Sequence, residues 1–354
     1  MSVSCSVLLV LPLLLPPGLG FRLCPSPCLC YQSSDLVDCR ARALVRVPPS
    51  VPHGTWLLDL RGNSLTEVHS RSFVGLWSLK ILLMSNNSIQ TLQPQSLSSL
   101  QFLEKLALSF NQLRGLPPDF SQSMSSLKEL QLDHNLLLHL HSSSLRDLEN
   151  LRKLDLSYNR IWTIDVGAFS SLTHLSVLSL EGNRLNALTD GLLSRQKSLE
   201  VLLLSHNNIS LIQTHALAPL RSLTLLSLRG NQLEHIRFKT FLKLQTTSTH
   251  LQMSLNRWTC DCELQRDFSK ISYVRHLHVD DYQDIVCHAP EQQAGSSLAS
   301  IDSQLCIAET ASVLVITITV MLAVIGALVK AERNSKKNVP TVTEEEDDSE
   351  RPEK

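Results

Sequence analysis

Leu151-Arg152-Lys153-Leu154-Asp155-Leu156-Ser157-Tyr158-Asn159-Arg160-Ile161 is one copy of a frame, L-x-x-L-x-L-x-x-N-x-L, that returns down the middle of the chain. Its asparagine recurs every 24 residues, at Asn63, Asn87, Asn111, Asn135, Asn159, Asn183, Asn207 and Asn231, and Asn256 follows after 25. A fixed period of this length is the signature of a stacked solenoid. Each turn is expected to carry one short strand, here around residues 152–157, with its leucines pointing into a common apolar column. No single turn can bury that face alone, so the turns are stable only when stacked.

The asparagine falls where the chain bends out of the strand. Its amide offers two donors and an acceptor, which inside the column can bond the backbone of the next turn. Without it, buried bend amides would stay unpaired, at about 1–3 kcal/mol each. Ten residues after each asparagine comes a second apolar anchor, on the convex side: Phe73, Leu97, Leu145, Phe169, Leu193, Leu217 and Phe241. Ser121 interrupts that series beside Phe120, and Asn135 returns in frame, so the reading is a local adjustment. Nine strands about 4.8 Å apart predict a parallel sheet roughly 40 Å long on its concave face.

The chain has 354 residues, a net charge of −1 and a pI near 6.9. That balance gives no reason to expect nucleic acid, which calls for a clustered basic surface. Residues 1–20, with the apolar run Val7–Leu15, read as a signal peptide. Cys5 lies in it, and the other eight cysteines form two groups of four: Cys24, Cys28, Cys30, Cys39 and Cys260, Cys262, Cys287, Cys306. Behind a secretory leader, an even set flanking an apolar array reads as disulfides, not zinc thiolates. The expected segments are a cysteine-bearing lead-in at 21–54, repeats at 55–258 and a second cysteine segment at 259–308.

Residues 311–329, ASVLVITITVMLAVIGALV, carry no charge. As a helix they span about 28 Å, the depth of a bilayer's hydrocarbon core. Lys330, Arg333, Lys336 and Lys337 follow, while Asp302 and Glu309 precede. The basic side stays cytoplasmic, so the expectation is a single-pass type I protein of the plasma membrane with its repeats outside. The tail, 330–354, is too short for its own core and reads as disordered around the acidic run Glu344–Asp348. All four tyrosines lie outside, so the tail cannot signal through tyrosine phosphorylation.

The frames Cys24-x3-Cys28-x-Cys30-x8-Cys39 and Asn256-Arg-Trp258-Thr-Cys260-Asp-Cys262, with Cys287-His-Ala-Pro290 and Cys306, resemble the two caps of extracellular leucine-rich repeat proteins. The resemblance covers residues 24–306. It implies an α/β fold, a leucine-rich repeat solenoid with a parallel-sheet horseshoe, disulfide caps and one transmembrane helix. It also implies the bridges Cys24–Cys30, Cys28–Cys39, Cys260–Cys287 and Cys262–Cys306. The layout resembles leucine-rich repeat transmembrane adhesion proteins, platelet glycoprotein chains and the gamma auxiliary subunits of large-conductance potassium channels. Those gamma subunits carry about six repeats, fewer than here. Toll-like receptors share the repeat, but their signalling domain has no counterpart here.

No catalytic constellation is legible: there is no G-x-S-x-G and no phosphate-binding glycine loop. His139-Leu-His141 and His276-Leu-His278 read as ordinary polar positions, since no further ligand accompanies them at a familiar spacing. The expectation is a recognition protein that needs no cofactor or small-molecule substrate and binds an extracellular or membrane protein. The strand positions between the leucines would form its face. Lys105, Glu129, Gln131, Asp133, Lys153 and Asp155 supply a charged centre. Val177, Val201, Leu203 and Leu225 supply an apolar patch after it, and Leu57, Ile81 and Leu83 one before it. The alternative is an auxiliary subunit acting through its membrane helix, where Ala323 and Ala327 form a small-xxx-small pair. Asn86-Asn-Ser88 and Asn208-Ile-Ser210 are the two glycosylation sequons, which places N-glycans at Asn86 and Asn208.

Overall fold

The computed structural model describes residues 24–301 and 303–337. The expected signal peptide, Cys5 and the acidic run lie outside the described residues. The chain divides into two compact units at Ala299 and Ser300.

The first unit is built on one twelve-stranded sheet. Nine of its strands are the repeats: β3 (Leu57–Asp59), β4 (Ile81–Leu83), β5 (Lys105–Ala107), β6 (Glu129–Gln131), β7 (Lys153–Asp155), β8 (Val177–Ser179), β9 (Val201–Leu203), β10 (Leu225–Ser227) and β11 (Thr249–Gln252). They pair in parallel and in register, each residue facing its equivalent one repeat on. The two ends carry strands that the repeat count omits. At the start, β1 (Leu29–Tyr31) and β2 (Leu36–Asp38) form an antiparallel pair, and β2 joins β3 in parallel. At the far end, β12 (Leu277–Val279) pairs with β11. The exposed edges of the repeat sheet are thus covered by strands from the cysteine-bearing segments, which removes a template for aggregation.

The middle residue of each repeat strand (Leu58, Leu82, Leu106, Leu130, Leu154, Leu178, Leu202, Leu226 and Leu251) is fully buried. The convex anchors Phe73, Leu97, Leu145, Phe169, Leu193, Leu217 and Phe241 are buried as well. Where the series breaks, Phe120 takes the apolar site, and Ser121 is buried with its hydroxyl accepting from the Asp147 N–H at 3.1 Å.

The asparagine ladder runs opposite to the direction expected. Asn159 Nδ2 donates to Leu132 O at 2.9 Å and to Leu156 O at 3.0 Å, while Oδ1 accepts from Leu137 N–H at 3.0 Å. Leu132 and Leu137 belong to the preceding turn. From Asn87 to Asn231 every ladder asparagine repeats this, bonding a carbonyl 27 residues back and an N–H 22 residues back. The reason is geometric: the bend follows its own strand, so the amide reaches the backbone already laid down beside it. Asn63 bonds Cys39 O, Arg42 N–H and Leu44 N–H, tying the first repeat to the cap.

Cys24 is bridged to Cys30, Cys28 to Cys39 and Cys260 to Cys287. Cys262 is also disulfide-bonded. It opens helix α1 (Cys262–Tyr273), which is capped by Asp261 accepting from Leu264 N–H at 2.8 Å. Leu264, Phe268 and Ile271 fall on one face and are buried. Phe268 meets the fully buried Trp258 edge-on at 5.5 Å, and Trp258 Nε1 donates to Met253 O at 3.1 Å.

Among its described residues, the second unit carries helix α2 (Ser303–Lys337). Within it Val313–Ala331, of mean hydropathy 2.5, is long and apolar enough to cross a membrane. Cys306 is disulfide-bonded. The helix continues through Lys330 to Lys337, so residues 330–337 are helical where a disordered tail was expected. A run of charged, good helix formers on an established helix continues it without a new nucleus.

Candidate functional site

Registered pairing turns the repeat into rows. One row on the open face of the sheet reads Leu57, Ile81, Lys105, Glu129, Lys153, Val177, Val201, Leu225 and His250. The next row contains Leu83, Gln131, Asp155 and Leu203. Strand alternation sends these side chains away from the leucine column. The candidates in these two rows, all but Asp133, share one face, charged in its middle and apolar at either side.

Much of the charge on that face is already internally paired. Lys105 Nζ meets Glu129 Oε1 at 2.9 Å, and Gln131 Nε2 donates to the same oxygen at 2.9 Å. Asp155 Oδ1 accepts from the N–H and hydroxyl of Ser157. Asp133 lies beyond its strand, holding the Ser109 hydroxyl and, at 3.0 Å, His134 Nδ1. It is therefore not a free outward position, and replacing it would disturb two contacts. Lys153 is exposed and makes no ion pair among the described residues. A pocket of about 610 Å³ opens on this face, bounded by Leu57, Ile81, Leu83, Lys105, Phe110, Asp133 and Asn86.

A second column borders the face, and the repeat frame does not mark it. The residue before each ladder asparagine is left-handed, with φ between +50° and +68° at Gly62, Asn86, Phe110, His134, Tyr158, Gly182, His206 and Gly230. At three successive turns the residue there is a ring, and the three rings stack on each other. Phe110 and His134 lie 4.1 Å apart at 15°, and His134 and Tyr158 4.7 Å apart at 24°. Tyr158 then covers Gly182, where a Cβ would sit 2.7 Å from Cδ1 of the ring. Ring stacking worth about 0.5–1.5 kcal/mol per pair offsets the left-handed backbone, which costs roughly 1–2 kcal/mol for a residue with a Cβ. The Tyr158 hydroxyl donates to Glu181 Oε1 at 2.9 Å, and this bond raises its pKa.

At the opposite edge a groove of about 650 Å³ is lined by the exposed Trp77 and Phe102 and by Lys80, Lys128 and Arg152. Glu104 bridges Lys80 and Lys128 at 3.3 and 2.7 Å, and these two lysines lower its pKa. Trp77 and Phe102 carry no mark in the sequence, because they occupy variable positions of the repeat.

One cluster was not legible as such. His139 and His141 are joined by Asp165 from the following turn: His139 Nε2 lies 2.9 Å from Asp165 Oδ1, and His141 Nδ1 3.8 Å from Oδ2. Their ligand atoms all lie within 4.8 Å of one another. The Ser142 N–H, donating to Oδ2 at 3.0 Å, and then His139 lower the Asp165 pKa.

Comparison with known proteins matches the architecture. The family model for the leucine rich repeat matches residues 57–113, 101–161, 125–185, 149–209 and 173–233. The Leucine-rich repeat-containing G-protein coupled receptor 5A of Xenopus laevis is 35% identical over 111 residues, 23% of this chain and 12% of that protein. The Leucine-rich repeat-containing protein 24 of Mus musculus is 43% identical over 77 residues, 21% of this chain and 14% of that one. The chain thus matches only about an eighth of the length of these relatives. Among solved structures, human 5T4 (trophoblast glycoprotein) superposes with a TM-score of 0.58 at 24% identity, over 80% of this chain and 98% of that one. With repeat matches spanning half its length and a solenoid in register throughout, the chain belongs to the leucine-rich repeat family.

Proposed function

We propose that this is a single-pass type I protein of the cell surface whose open sheet face binds an extracellular protein partner. The observation that carries the reading is the registered row in which Val177, Val201 and Leu225 follow Lys153 at the same height on successive strands. These apolar side chains stay half-exposed and contiguous instead of entering the core. Similarity to receptor-like leucine-rich repeat proteins supports surface recognition as the class of function. Helix α2 supplies the membrane anchor in this reading.

The test uses the full chain on cells and the partner returned by proximity labelling. Lys153→Glu and Leu203→Asp are expected to reach the surface like wild type, since such substitutions cost within about 0.5 kcal/mol. Partner binding should fall about tenfold or more for each. Wild-type affinity in both variants would remove the open face from consideration. If binding then fails only when α2 is replaced by an unrelated membrane helix, the auxiliary-subunit reading takes its place.

Asn86 and Asn208 are both exposed, as glycan attachment requires. In this reading the Asn86 glycan stands beside Phe110 at the rim of the open-face pocket. It would shield the N-terminal part of the face and leave the Val177–Leu225 patch for the partner. Asn86→Gln and Asn208→Gln should each increase gel mobility by one glycan and together match the enzymatically deglycosylated chain. Unchanged mobility after glycosidase would contradict both glycan sites and the extracellular placement of the repeats.

A further inference from the structure

A 24-residue period makes neighbours of residues that a motif search treats as distant. His139 and Leu140 pair in parallel with Thr163 and Ile164. Leu140 is buried, so His139 and His141 emerge on the same side of the strand. Asp165 emerges beside them, two residues past Thr163. We propose that His139, His141 and Asp165 bind one divalent cation of zinc type, clipping two successive turns of the solenoid together.

The donor set fits such an ion. Two imidazoles and one carboxylate suit borderline cations such as zinc, whereas calcium and magnesium take oxygen ligands. A tetrahedral zinc with bonds of about 2.0–2.1 Å holds its ligand atoms about 3.3–3.4 Å apart. His139 Nε2 lies 2.9 Å from Asp165 Oδ1, His141 Nδ1 lies 3.8 Å from the other oxygen, Oδ2, and ligand atoms of all three residues fall within 4.8 Å of one another, so the cluster is already close to that spacing. Adjustment of side chains alone brings the three into place, and the exposed His141 leaves an entry path and a position for water.

The surrounding groups already orient the ligands. His139 Nδ1 contacts the Thr163 hydroxyl, which turns Nε2 toward Asp165. Without an ion, a neutral His139 carries its proton on Nε2 and donates to Asp165, while Nδ1 accepts from Thr163. When a cation takes the Nε2 lone pair, that proton resides on Nδ1 and donates to Thr163. A hydroxyl can serve in both roles, so the switch strands no donor and no acceptor. Asp165 Oδ2 is held by the Ser142 N–H, leaving Oδ1 for the ion. Contacts of this kind to histidine and carboxylate ligands are what fixes a metal site before it is filled.

The experiment is a zinc titration of the full chain, purified in detergent without a histidine tag and followed by calorimetry. One ion per chain is expected, together with a zinc-dependent rise in Tm and no response to calcium. His141→Ala and Asp165→Asn should each weaken zinc more than about tenfold. His141 is exposed and lies 3.8 Å from its nearest charged partner, so its removal spares the fold. A second histidine cluster serves as the control: His250 Nδ1 lies 2.8 Å from Asp280 Oδ1, and the His278 ring lies 5.3 Å from that of His250, tilted by 34°. His278→Ala should bind zinc like wild type. Absence of saturable binding, unchanged affinity in His141→Ala, or loss in His278→Ala would each overturn the assignment.

Discussion

Asn159→Ala is expected to destabilise the solenoid by about 1–3 kcal/mol. The variant orphans Leu137 N–H and removes one of two donors from each of Leu132 O and Leu156 O, which keep Asn135 Nδ2 and Asn183 Nδ2. Asn159 is 7% exposed, so water cannot readily replace the amide. An unpaired buried group costs about 1–3 kcal/mol, and the single orphaned N–H sets the size of the loss. Asn159→Asp is the sharper control. It keeps an oxygen for Leu137 N–H but turns a carboxylate onto two carbonyl oxygens, so it should be at least as damaging. Urea unfolding of the purified chain followed by circular dichroism, alongside surface abundance, reads both variants. Stability of Asn159→Asp close to wild type would show that the donations to the preceding turn contribute little.

Trp258→Ala should cost about 3–5 kcal/mol, the range for removing a fully buried large aromatic side chain. Its indole is 0% exposed, packs edge-on against Phe268 and donates to Met253 O. The strand that carries it, Trp258–Thr259, pairs with Cys287–Ala289, so the cavity opens inside the cap and beside the Cys260–Cys287 bridge. Trp258→Phe should recover most of the loss, because Met253 O keeps its bond from Asn256 Nδ2 at 2.8 Å. Against a total stability of about 5–15 kcal/mol, the alanine variant should be retained inside the cell. Normal surface levels with an unchanged Tm would remove Trp258 from the role of cap keystone.

The sequence displays whatever repeats and conceals whatever the repeat brings together. The column of leucines and the anchor series were legible because each obeys a 24-residue period, and even the exception at Ser121 was legible from Phe120 beside it. The direction of the asparagine bonds was not, since periodicity is the same read either way. Asp133 looked like an outward strand residue, but the strand ends at Gln131, and the aspartate turns to Ser109 and His134. The Phe110–His134–Tyr158 stack depends on left-handed backbone at a position whose residue type varies. Asp165 was missed as a neighbour of His139 because ligand motifs are sought within a few residues, not one turn away.

The backward reach of the ladder bears on how the chain is made. A ribosome delivers the turns in order, and at about 5–20 residues per second one turn emerges in about 1–5 s. The Cys24–Cys30 and Cys28–Cys39 bridges can close before the first repeat is complete, and Asn63 then finds Cys39 O and Leu44 N–H waiting. Every later ladder asparagine likewise meets partners synthesised before it, so none must wait unpaired for residues still to come. Growth is templated from one end. A nascent chain halted after Asn183 already has every ladder amide supplied, whereas a chain begun at Leu136 would present Asn159 with no Leu132 O to bond.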